Sequence, residues 1–283
     1  MLFRFHCLVA LAIAAQSLVL AQGSPTPPAP PLRFDALPRP PVPADPLELV
    51  TGDAQPVQNA DQRQAAVKLL TGAHALSNVR AQPHDLKTSF TASGGLPSDG
   101  SWLLEDISPG PGIYRWTAQG PNYAGVNLYT DSTQGLLYGN QPGVPLRLAQ
   151  VRAALFFQAP AIGPRTSMRT ATGSLNGAEQ SCVLMGFAFF RQAFTGARNW
   201  EESEYCVDSN TGLLTTYSPV SGLYIHYDYA NAVKFHGKII PAGFTIAEAG
   251  RTVIEARTES VTEPPDPKSS LFTPAGLTSL GVG

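Results

Sequence analysis

Five histidines, three cysteines and 21 acidic residues are the groups in this 283-residue chain that offer acid–base or metal chemistry. Their spacing decides what is open to them. In YIHYDY, His226 and Asp228 lie two apart, so on a strand they face the same side. That is the nearest approach to an acid–base pair; the simpler reading is a polar pair on a solvated face. His84 and Asp85 adjoin ahead of a strand with no nucleophile in view. Glu201, Glu202 and Glu204 form the kind of run that marks a solvated edge. The sequence has no Gly-x-Ser-x-Gly elbow, no His-x-x-x-His or His-Glu-x-x-His, and neither a phosphate loop nor Gly-x-Gly-x-x-Gly. We therefore assign no catalytic residue, no metal ligand and no cofactor, and read the chain as not an enzyme. A hydrolase site built from carboxylates on distant strands is the reading that spacing alone leaves open.

The cysteines carry a different message. Residues 1–21, MLFRFHCLVALAIAAQSLVLA, have a positive start at Arg4 and an apolar run from Leu8 to Ala15, the pattern of a secretory signal cleaved near Ala21. The mature chain, from about Gln22, is then periplasmic or secreted. Cys7 leaves with the signal. Cys182 and Cys206 remain, and in an oxidising compartment an even pair points to a disulfide rather than two buried thiols. Such a bridge contributes about 3 kcal/mol in the chain-entropy model. A net charge of -2 gives no reason to expect nucleic acid. No later segment reaches the roughly 18 apolar residues of a membrane span, so membrane contact is peripheral at most.

Pro and Gly, 26 each, favour a turn-rich β protein. Residues 22–57 read as a Pro-rich linker, with Gly23 to Asp45 dense enough in proline to form an extended spacer. A binding domain follows over 58–263, and 264–283 is a Pro/Gly-rich tail. Ala65, Ala66, Leu69, Leu70, Ala73, Leu76 and Val79 recur at helical spacing behind Asp61, a candidate N-cap. Leu146 to Phe157 is a second helix, with Arg147 and Arg152 off its apolar face. Short alternating runs, among them 86–92, 102–107, 113–118, 125–130 and 136–138, make an antiparallel meander. Cys182 to Gln192 is apolar on both faces, as a strand between two layers is. In YCVDSNTGLLTTY, Asp208 to Gly212 is a hairpin turn, with Gly212 supplying the positive φ.

The stretch from Cys206 to Ile246, CVDSNTGLLTTYSPVSGLYIHYDYANAVKFHGKIIPAGFTI, resembles the periplasmic lipoprotein-carrier superfamily, which includes the outer-membrane lipoprotein-sorting proteins. The resemblance spans roughly Asn59 to Val261. It implies an α+β fold: a strongly curved, open antiparallel half-barrel wrapped around two or three helices, with an apolar concavity. It also implies binding of a lipid or a lipoprotein acyl chain without catalysis, by a monomer. In such a fold Phe156, Phe187, Phe189, Tyr224 and Tyr227 are the aromatics placed to line the cleft. The alternative is an envelope interaction domain whose core is filled by its own side chains and whose partner is a protein.

Overall fold

The structure is a computed structural model that describes residues 54–131, 136–156, 162–187 and 202–277. The expected signal peptide, most of the expected linker and the end of the expected tail fall outside these residues. The elements, in chain order, are β1 (Gln55–Pro56), α1 (Ala60–Ser77), β2 (His84–Ala92), β3 (Gly100–Gly110), β4 (Ile113–Gly120), β5 (Tyr123–Tyr129), β6 (Leu136–Gly139), α2 (Leu146–Leu155), β7 (Thr166–Leu175) and β8 (Ala178–Phe187). Then follow β9 (Ser203–Asp208), β10 (Leu214–Val220), β11 (Leu223–Asp228), β12 (Val233–Phe235), β13 (Lys238–Ile240), β14 (Gly243–Glu248), β15 (Arg251–Thr262) and α3 (Pro274–Leu277).

Thirteen strands form one open sheet in the order β1-β7-β8-β9-β10-β11-β14-β15-β2-β3-β4-β5-β6. Every pairing is antiparallel, so short hairpins suffice as connections. The late strand β15 pairs with the early strand β2, from Ile254 opposite Ala92 to Thr262 opposite Asp85, and this seals two meanders into one sheet. The end of the expected linker joins the sheet too: β1 pairs with β7, and Val57 N–H donates to Met168 O.

The strand alternation read from the sequence sets two faces. On β2, His84, Leu86, Thr88, Phe90 and Ala92 are buried, while Lys87 and Thr91 are exposed. This inner face carries the helices. α1 lays Ala66, Leu70 and Ala73 on Met168, Val183, Met185, Tyr205, Val207 and Leu214. Its N-cap is Asn59, whose side chain accepts from Gln62 N–H, and not Asp61, which falls in the first turn; the cap is worth about 1 kcal/mol. α2 lays Leu148, Val151 and Ala154 on Phe90, Trp102, Leu104, Trp116, Ile246 and Ile254. Arg147, expected off the apolar face of α2, is buried, because Glu248 and Asp99 receive its guanidinium.

The tail is not wholly free of the domain. A 3-10 turn at Ser270–Phe272 and α3 bring Phe272 and Leu277 against Ile107, Val126 and Leu128 on the outer face. No helix among the described residues is long and apolar enough to cross a membrane.

Candidate functional site

Two separate helices cover the inner face, and each has its own apolar cluster. The clusters meet at Tyr217 and Tyr227, which pack against both. Where the two helices end lies a void of about 30 Å³, walled by Leu86, Leu155, Tyr227, Ile240 and Phe244 among others. Burial pushes the Tyr227 phenol well above its ordinary range, so it stays a neutral donor. It donates to the Ala154 carbonyl in the last turn of α2, 2.7 Å away. Tyr229, also desolvated, donates to Leu214 O at 3.0 Å. The β12–β13 hairpin closes this end. Its two-residue turn, His236-Gly237, has φ of 45° and 74°, the left-handed pair a type I′ turn requires. Val233, Phe235 and Ile240 pack there with Val79, Leu86 and Phe156.

A polar chain runs through the same end of the inner face. His84 Nε2 lies 3.3 Å from Asp106 Oδ1, both side chains fully buried. Its Nδ1 lies 2.8 Å from the Gln82 carbonyl. Tyr114 donates to Asp106 Oδ2, and Arg152 Nη2 donates to the Tyr114 oxygen at 2.5 Å. Burial, and then the Asp106 charge, push the Tyr114 phenol far up. Buried polar groups of this kind are tolerated only when partnered; His84, Asp106 and Tyr114 each have partners here, while Arg152 Nε has no acceptor.

The aromatics expected to share one cleft are not brought together. Phe156 caps α2 and is buried beside the void, and Tyr227 lines it. Tyr224, three residues from Tyr227, points to the opposite, outer face and stacks on His226, ring centroids 6.2 Å apart. Phe187 ends β8, and its side chain lies outside the described residues, as does all of Phe189.

The polar candidates also resolve. His226 Nδ1 meets Thr216 Oγ1 at 3.1 Å across the β10–β11 pair. Asp228 accepts Ala230 N–H at 2.8 Å. Glu202 and Glu204, expected at a solvated edge, are both buried. Glu202 grips Arg169 through Nε at 3.0 Å and Nη2 at 2.6 Å. Glu204 lies 3.3 Å from Cys206 Sγ. Glu201 lies outside the described residues. Cys182 and Cys206 face each other on β8 and β9 and form the disulfide. A broad groove of about 1540 Å³ opens on the outer face, lined by polar groups such as Thr91, Ser101 and Glu255 together with apolar ones such as Phe90, Trp102 and Leu103.

The His84–Asp106–Tyr114–Arg152 chain was missed in the sequence, although a signal was there. His84 is in phase with Leu86 and Phe90, Asp106 with Trp102 and Leu104, and Tyr114 with Trp116 and Ala118. Polar groups in phase with a buried stripe must find one another.

No family model matches the sequence, and no curated protein matches it. Two solved structures are similar in fold over most of their length. One is a LolA superfamily protein from Nitrosomonas europaea, 10% identical, with a TM-score of 0.43, covering 73% of this chain and 96% of its own. The other is a domain from Vibrio parahaemolyticus described as an outer membrane lipoprotein-sorting protein, 8% identical, with a TM-score of 0.45, covering 75% of this chain and 97% of its own.

Proposed function

We propose that this chain is an exported envelope protein that holds an apolar ligand, a lipid or an acyl chain, between the sheet's inner face and its two helices, without catalysis. The observation that supports this is the seam. The sheet's apolar face is closed by two helices with separate clusters, and these meet at a void walled by Leu86, Leu155, Tyr227, Ile240 and Phe244. Small-molecule pockets are about 300–1,000 Å³, so a void of about 30 Å³ is a closed seam. Uptake requires α2 to lift, with Phe156 and Tyr227 becoming walls of the opened cleft. The Cys182–Cys206 disulfide is consistent with an oxidising compartment.

The test is native mass spectrometry of the chain purified from an exporting host, followed by solvent extraction and lipid analysis. The expected result is a stoichiometric apolar passenger, or its uptake on incubation with long-chain lipid. An apo mass unchanged by phospholipid and by acylated peptide would overturn the proposal. It would favour the second reading, an interaction domain with a self-filled core, for which the smallness of the void speaks.

A further inference from the structure

The apolar seam ends in two guanidinium groups. Val79 and Leu155 line the void, and the next residues in the chain are Arg80 and Phe156. The Arg80 guanidinium lies 4.5 Å from the Phe156 ring centroid and 4.8 Å from that of Tyr114. Arg152 lies 5.8 Å from the Tyr114 ring and 4.5 Å from that of Trp116. Aromatic faces hold guanidinium groups in place without consuming their hydrogen-bond donors. Among the described residues, neither arginine has a carboxylate at ion-pair distance. Arg152 spends Nη2 on the Tyr114 oxygen, and its Nε is buried with no acceptor. The one acid in this cluster, Asp106, is already engaged by His84 and Tyr114. Positive charge with donors to spare therefore sits at the end of an apolar seam.

We infer that Arg80 and Arg152 take the anionic head group, carboxylate or phosphate, of an amphiphile whose apolar part enters the seam. The inference rests on the carrier reading above and narrows its ligand to acidic lipids. The guanidinium fork matches two anionic oxygens, and the stacked rings pre-organise it, so little ordering is lost on binding.

The test compares a long-chain fatty acid, its methyl ester and a long-chain alkyl phosphate in calorimetric titrations of the whole mature chain. One of the two anions binds at least about tenfold more tightly than the ester, the scale of a charge-assisted hydrogen bond. Which anion does so identifies the head group. Arg80→Gln, at an exposed position, abolishes that preference. Arg152→Lys keeps the charge but loses the fork, and retains only part of it. Equal binding of acid, phosphate and ester would overturn the head-group assignment and leave the carrier reading standing. So would an Arg80→Gln variant that weakens ester and acid alike, since that is a packing effect. Binding of none of the three would overturn both.

Discussion

Tyr227 Oη donates to the Ala154 carbonyl at 2.7 Å, tying the middle of the sheet's inner face to the last turn of α2. The carbonyl is one of those a helix end leaves without an intrahelical partner, so the phenol acts as a latch. Tyr227→Phe keeps the packing and removes the latch. We expect a loss of about 1 kcal/mol in denaturant unfolding. Amide exchange in α2 should quicken while that in α1 stays as it was. Unchanged exchange in α2 would mean the latch does not hold the helix down.

Arg169 and Glu202 form a two-point pair buried on the sheet. Breaking such a pair strands a charge, at a cost of about 3–5 kcal/mol. Glu202→Ala should therefore be among the most damaging single changes. The double variant Arg169→Met with Glu202→Leu should recover much of that loss, because replacing a whole buried pair by apolar groups is often neutral. Equilibrium unfolding of the three chains checks this, and an additive double variant would contradict it.

Glu248 gives the protein an acid-sensitive joint. Burial alone would raise its pKa, but hydrogen bonds from Arg147 and Gln150 outweigh that and hold it below the ordinary value of 4.5. A carboxylate depressed in the folded state contributes stability above its unfolded pKa and loses it as pH falls through the folded one. The wild type should therefore exceed Glu248→Gln in stability at neutral pH. The gap should close below about pH 4.5. A gap independent of pH would show that the Arg147 contact is steric rather than ionic.

The Cys182–Cys206 bridge spans 24 positions and joins neighbouring strands at directly opposed residues. Replacing both cysteines by alanine should cost about 3 kcal/mol, seen as a lower unfolding midpoint. Since the pair sits among Ala171 and Leu175 in a buried cluster, the variant should still fold. A midpoint unchanged within error would mean that the strand pairing alone fixes this region.

How much of this was legible in the sequence differs by element. β2 was readable because its alternation is strict, and the Asp208–Gly212 turn because Asp208 accepts from Asn210, Thr211 and the Thr211 hydroxyl while Gly212 takes φ of 73°. Arg147 and Glu202 were misplaced because charge suggests solvent, and only the fold supplies their partners Glu248 and Arg169. Tyr224 and Tyr227 share a residue type that suggests one cleft, but an odd spacing on a strand sends them to opposite faces. The polar chain from His84 to Arg152 joins three neighbouring strands and a helix, and no local motif links its members, so phase alone hints at it.

The central claim is that an apolar chain enters between α2 and the inner face. The most direct measurement is paramagnetic broadening by a fatty acid spin-labelled near its tail, read on side-chain methyl and aromatic signals of the mature chain. Broadening is expected at Leu86, Leu155 and Ile240, which line the seam and not the outer groove, with the methyl groups of Thr91 and Leu103 on the outer groove untouched. Broadening confined to the outer face, or none at saturating ligand, would contradict it.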